Sequence, residues 1–194
     1  RGVTVQLLID AFGSFTLEPS FWEPLIQRGG QFRWFNPLSV SGWTYRNHRK
    51  LLVCDETMAF VGGFNIAPEY EGDGVTKGWR DLGLRIAGPL AEELAETFDE
   101  MFARAELPHK RFQRLRKARD RVTAGHNWKL LSSGPGTRHG EIKRTLAKDL
   151  AQARSVQIVS GYFLPTWRLR TELRRVCRRG GQVQLILPSK TDVT

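Results

Sequence analysis

The sequence predicts an α/β fold, and three observations carry the prediction. Short apolar runs of strand length recur along the chain, amphipathic stripes at helical spacing separate several of them, and glycines punctuate the joins. Runs this short bury their faces only by layering helices against strands.

The elements follow in order. The chain opens on an apolar strand pattern, Val3 to Asp10, so abruptly that a segment upstream of Arg1 is expected. Phe21 to Arg28 reads as helical, Gly29-Gly30 ends it, and Gln31 to Phe35 makes a strand. Lys50 to Cys54 is the next strand; a turn at Asp55-Glu56 returns the chain into Thr57 to Val61, and Asp81 to Ile86 follows a loop rich in glycine and charge. From Leu90 to Ala105, Leu90, Leu94, Phe98, Met101 and Phe102 form a stripe expected to pack in the core. Later, Glu141 to Ala153 places Ile142, Leu146 and Leu150 on one helical face. Val156 to Val159 is a strand, and a helix from about Pro165 closes at Gly180.

At 194 residues the chain can bury one sizeable core. Lys and Arg number 30 against 20 acids, a net charge of +10, so phosphate-bearing partners are expected, either anionic lipid or nucleic acid. Cys54 and Cys177 sit in apolar or helical pattern and read as buried, unpaired small hydrophobes of a reducing compartment. The apolar runs are far shorter than the ~18 residues of a membrane span, which leaves action from a membrane surface.

A repeat is visible. Arg1 to Asp10, RGVTVQLLID, aligns without gaps on Arg179 to Pro188, RGGQVQLILP, with five identities in ten. The expected organisation is most of one repeat over 1–106, a basic linker over 107–136 and the N-terminal part of a second repeat over 137–194, both repeats incomplete. Eight Lys or Arg against two acids between Arg104 and Arg121 support the linker reading.

The chemistry concentrates at Asn47-His48-Arg49-Lys50. On a strand, positions 48 and 50 share a face, so an imidazole and an ammonium converge on one ligand. The first can attack phosphorus or carry a proton, and the second can hold phosphoryl oxygens. Gly62 and Gly63 allow close backbone approach, and Asn65 adds an uncharged amide donor. Together they describe a phosphate site.

The pattern His48-x-Lys50-x4-Asp55-x6-Gly62-Gly63-x-Asn65 resembles the phospholipase D superfamily signature, in which the second glycine is often serine. Arg33 to Leu38, Phe64 to Ala67 with Glu69-Tyr70, Trp79-Arg80-Asp81 and Tyr162 to Pro165 are similar to bacterial cardiolipin synthases. The resemblance implies a mixed-sheet sandwich flanked by helices, built of two repeats that each bring one motif to a shared active site, without metal or other cofactor. One histidine attacks the phosphodiester to give a phosphohistidine, and the other protonates the leaving alcohol and activates the incoming one. It further implies that His48 is the nucleophile or the acid/base, that Lys50, Gly63 and Asn65 bind phosphate, and that Asp81 orients the histidine. Asp55 completes the catalytic motif and is expected to bond near its own turn, while Glu69 and Tyr162 are candidate lining residues.

His109, His126 and His139 lack a lysine two residues on, so a second motif is absent. The repeat offset would put it near position 226, beyond Thr194; in the alternative, two copies of this chain each supply a histidine as a homodimer. The expected function is phosphatidyl transfer between phospholipids, with phosphatidylglycerol as substrate, peripherally at the cytoplasmic face of the cell membrane. A phosphodiesterase or nuclease on the same fold, with nucleic acid as partner, is the alternative, and a non-catalytic binding module the third reading. Six arginines from Arg168 to Arg179 could dock anionic headgroups, at about 1 kcal/mol each near a charged surface.

Overall fold

A computed structural model of the chain describes residues 2–36, 46–105, 128–132 and 140–189. The chain divides into two compact units, Arg1–Leu130 and Leu131–Thr194. Most of the stretch read as a basic linker lies outside the described residues, as do His109, His126 and His139.

The first unit begins with strand β1 (Gln6–Asp10), a 3-10 turn (Pro19–Trp22), the short helix α1 (Glu23–Gln27) and strand β2 (Gln31–Phe35). β1 and β2 pair in parallel, Gln6 opposite Gln31 and Asp10 opposite Phe35, so the helical segment is the crossover that parallel strands require. Gly29 ends it with φ at 84°, a conformation that favours glycine, and a Cβ on Gly30 would run into Leu25. Trp22 stacks on Phe32 at 4.4 Å and meets Trp34 edge-on, covering one face of the pair.

Three strands follow, β3 (Lys50–Cys54), β4 (Met58–Gly62) and β5 (Gly83–Ala87), in an antiparallel sheet of that order. Helix α2 (Pro89–Arg104) packs across it. Alternation along the strands divides the sheet cleanly: Leu51, Val53, Ala59 and Ile86 face the helix around Ala91 and Leu94. Ala59 and Ala91 are fully buried, and their small side chains let helix and sheet approach closely. Arg33 of β2 lies 4.1 Å over the Phe102 ring and donates to the Phe102 carbonyl at 2.7 Å, tying β2 to the last turn of α2.

The second unit runs α3 (Glu141–Gln152), β6 (Ser155–Val159), α4 (Trp167–Arg178) and β7 (Gln182–Ile186), with β6 and β7 parallel. Thr166 caps α4 through its hydroxyl, and Gly180 at φ 80° turns the chain out of it. The join repeats the device of the first unit: Arg28-Gly29-Gly30-Gln31 and Arg179-Gly180-Gly181-Gln182 each lead from helix to strand, and the glutamine N–H bonds the carbonyl just before the partner strand in both.

The α/β expectation is met, with parallel and antiparallel pairs both present. Several details differ. β5 begins at Gly83, so Asp81 and Leu82 belong to the loop. Cys54 and Cys177 are unpaired, as expected, but both are exposed. Cys54 shares its strand face with Leu52, opposite the helix-covered face, and Leu52 is 59% exposed. On α3 only Leu150 of the predicted stripe is buried; Ile142 and Leu146 are exposed.

Candidate active site

The register brings Lys50, Gly62 and Gly83 side by side at one end of the antiparallel sheet. The Asp81 carboxylate closes the corner: a Cβ on Gly63 would lie 2.5 Å from Asp81 Oδ2. Glycine at 63 is what makes room for that carboxylate. Asp81 Oδ1 accepts from the Leu82 N–H at 2.6 Å, and the Gly63 N–H donates to the Leu82 carbonyl at 3.4 Å. Burial lowers the Lys50 pKa, and the Asp81 charge raises it in part, so the ammonium sits in a partly desolvated corner with one compensating carboxylate.

His48 precedes β3, which begins only at Lys50, so strand alternation alone does not set its direction. Lys50 Nζ folds back to donate to the His48 carbonyl at 3.1 Å. The residue is exposed. Arg49 turns toward α2, where Glu100 and Arg104 act on it in opposite senses.

The other expected site residues fall in three places. Asn65 lies just past β4 and its amide nitrogen donates to the Tyr70 hydroxyl at 3.5 Å. Glu69 offers its backbone carbonyl to the Trp79 N–H at 2.7 Å, and Tyr70 meets Trp79 edge-on, so this loop packs on itself. Asp55 sits at the opposite end of β3 from Lys50, about 17 Å along the strand. There it borders an acidic hollow with Glu56, Glu92, Glu96 and Asp99, surroundings that repel phosphate. Asp55 and Glu56 both have positive φ, 50° and 56°, and Thr57 N–H bonds the Cys54 carbonyl, the signature of a primed hairpin turn. Tyr162 belongs to the second unit, just past β6, with its side chain exposed.

Sequence reading missed Asp10. Its Oδ1 accepts from the Phe12 and Gly13 N–H groups at 3.1 and 3.3 Å and pairs with Arg46 at 3.0 Å, while Oδ2 accepts from the Asn47 N–H at 2.7 Å. Arg46 also lies 3.7 Å over the Phe12 ring. The available signal was an acid closing an apolar strand, where a hydrophobe would continue the pattern.

Among the described residues no group of three or more His, Cys, Asp and Glu is arranged to hold a metal ion, and no helix is long and apolar enough to cross a membrane.

No family model matches the chain. Relatives, however, match it from end to end, cardiolipin synthases among them. The major cardiolipin synthase ClsA of Bacillus subtilis is 32% identical over 199 residues, covering 99% of this chain and 41% of that protein. A cardiolipin synthase of Listeria monocytogenes serotype 4a is 31% identical over the same shares, and cardiolipin synthase B of Escherichia coli K12 is 30% identical over 200 residues, all of this chain and 48% of that protein. The chain is therefore cardiolipin synthase-like along its whole length, as the motif and its flanks implied. It spans about two fifths to one half of the length of these relatives.

Proposed function

We propose that this chain supplies half of the active site of a phosphatidyltransferase of cardiolipin synthase type. The observation that carries the reading is the sheet corner itself, where a partly desolvated Lys50, bonded to the His48 carbonyl, lies beside Gly62 and the Asp81 carboxylate fills the space that glycine leaves at position 63. A phosphodiester entering there gains the Lys50 ammonium as a charge-assisted donor. Asn65 turns from its long bond with Tyr70 to the same oxygens. His48 bonds to phosphorus or transfers the proton of an alcohol, with a second histidine acting from the other face. Asp81 offsets the Lys50 charge and is the carboxylate at hand to orient the imidazole once ligand draws the ring inward. Asp55 makes the turn that fixes β3 and does not touch substrate.

On this reading residues 1–106 form most of one repeat of a mixed-sheet sandwich and 137–194 the start of another, whose motif follows further along the polypeptide. Phosphatidylglycerol is the substrate, and the excess of basic residues favours the anionic surface of the membrane on its cytoplasmic side.

The test uses a polypeptide that carries this chain together with the second motif. Given phosphatidylglycerol vesicles, it should release glycerol and form cardiolipin. Cleavage of single-stranded DNA with steeply salt-dependent binding, and no lipid product, would favour the nuclease alternative instead.

A further inference from the structure

We infer that Asp10 is a positioning residue for His48. The inference rests on the reading of His48 as the group that bonds to phosphorus or moves the proton. Asp10 ends β1, 37 residues before Asn47 in sequence, and its carboxylate is only 14% exposed. The two oxygens divide their work: Oδ1 gathers the turn after β1 and the Arg46 guanidinium, and Oδ2 holds the Asn47 backbone. Asn47 in turn accepts the Arg49 N–H on its own Oδ1 at 3.3 Å, and Lys50 Nζ bonds the His48 carbonyl. The backbone before His48 is thus tied to the Asp10 carboxylate, and the backbone after it to the side chain of the same Asn47.

The imidazole itself has no hydrogen-bond partner among the described residues. A clamped backbone with an uncommitted ring is what a reactive histidine needs, because placement is set before ligand arrives and both ring nitrogens stay available. Asp10 is not a substrate-binding group, since its oxygens already accept from four donors. It acts through Asn47.

The experiment compares wild type, Asp10→Asn, Arg46→Met and His48→Ala in the polypeptide carrying both motifs, with cardiolipin formation from phosphatidylglycerol and amide hydrogen exchange as readouts. Asp10→Asn keeps a single acceptor oxygen, which the three donors Phe12 N–H, Gly13 N–H and Arg46 draw to their side, so the NH2 faces the Asn47 N–H and that tether is lost. The expected result is a kcat about 10- to 100-fold lower with KM changed less than about twofold, faster exchange at Asn47, and unchanged protection across β3, β4 and β5. Wild-type kcat, or a loss of protection that spreads through those strands, would overturn the positioning role. Should Asp10→Asn fail to fold, hydrogen exchange of the wild type carries the test, since an unprotected Asn47 amide there would overturn the role; Arg46→Met, which leaves the Asn47 bond in place, is the control for loss of the ion pair alone. If His48→Ala keeps full activity, the reading of His48 fails and the positioning role falls with it; if His48→Ala is inactive while Asp10→Asn is normal, only the role of Asp10 fails.

Discussion

Lys50 shows how function and stability diverge at single residues. Burial lowers its pKa more than the Asp81 charge raises it, so the folded state disfavours its charged form. Stability from this group therefore increases as pH rises through the depressed folded pKa, and at neutral pH its charge is a cost to the fold. Lys50→Met should cut transfer by at least about 100-fold while leaving the melting temperature unchanged or slightly raised, as calorimetry would show. The same balance predicts a pH effect. Activity should fall on the alkaline side as the ammonium loses its proton, and Asp81→Asn, which removes the raising charge, should move that limb to lower pH; a limb that stays put or moves upward contradicts the assignment. Gly63→Ser should shift it the same way by displacing the carboxylate, since a Cβ there meets Asp81. The proposed site residues His48, Lys50, Gly63 and Asn65 stand out in the sequence because their spacing is local. Asp10 does not, because its partners lie 37 residues away and only the fold brings them together.

The β3–β4 hairpin carries the clearest test among the elements. Two consecutive non-glycine residues, Asp55 and Glu56, occupy the left-handed region, where an L side chain costs about 1–2 kcal/mol and glycine costs little. Aspartate tolerates that region better than glutamate. Glu56→Gly should therefore stabilise the protein by about 1 kcal/mol in urea unfolding, with Glu56→Ala as the control that removes the charge beside the acidic hollow but keeps the strain. Equal effects in the two variants would show that charge rather than backbone geometry governs this turn. Strand and helix positions were readable to within about three residues, the first strand starting at Gln6 rather than Val3, because alternation and helical spacing are written in consecutive side chains. Which face is covered was less readable: Cys54 and Leu52 are as apolar as Leu51 and Val53, yet only the latter pair meets α2. Periodicity names two faces of a strand without saying which one a helix will cover.

At the scale of the molecule, the +10 charge and the end-to-end similarity to cardiolipin synthases both fit the proposed partner, an anionic phospholipid surface. The sequence could carry that reading because phosphate chemistry needs few residues at close spacing. The 194 residues hold one such motif, so the proposed second half of the site rests on the repeat and on relatives that are longer than this chain. The most direct measurement offers phosphatidylglycerol to the polypeptide carrying both motifs, beside His48→Ala, and follows cardiolipin and glycerol by mass spectrometry. The account predicts both products from the wild type and neither from the variant. Undiminished cardiolipin from folded His48→Ala, or none from the folded wild type, would contradict it.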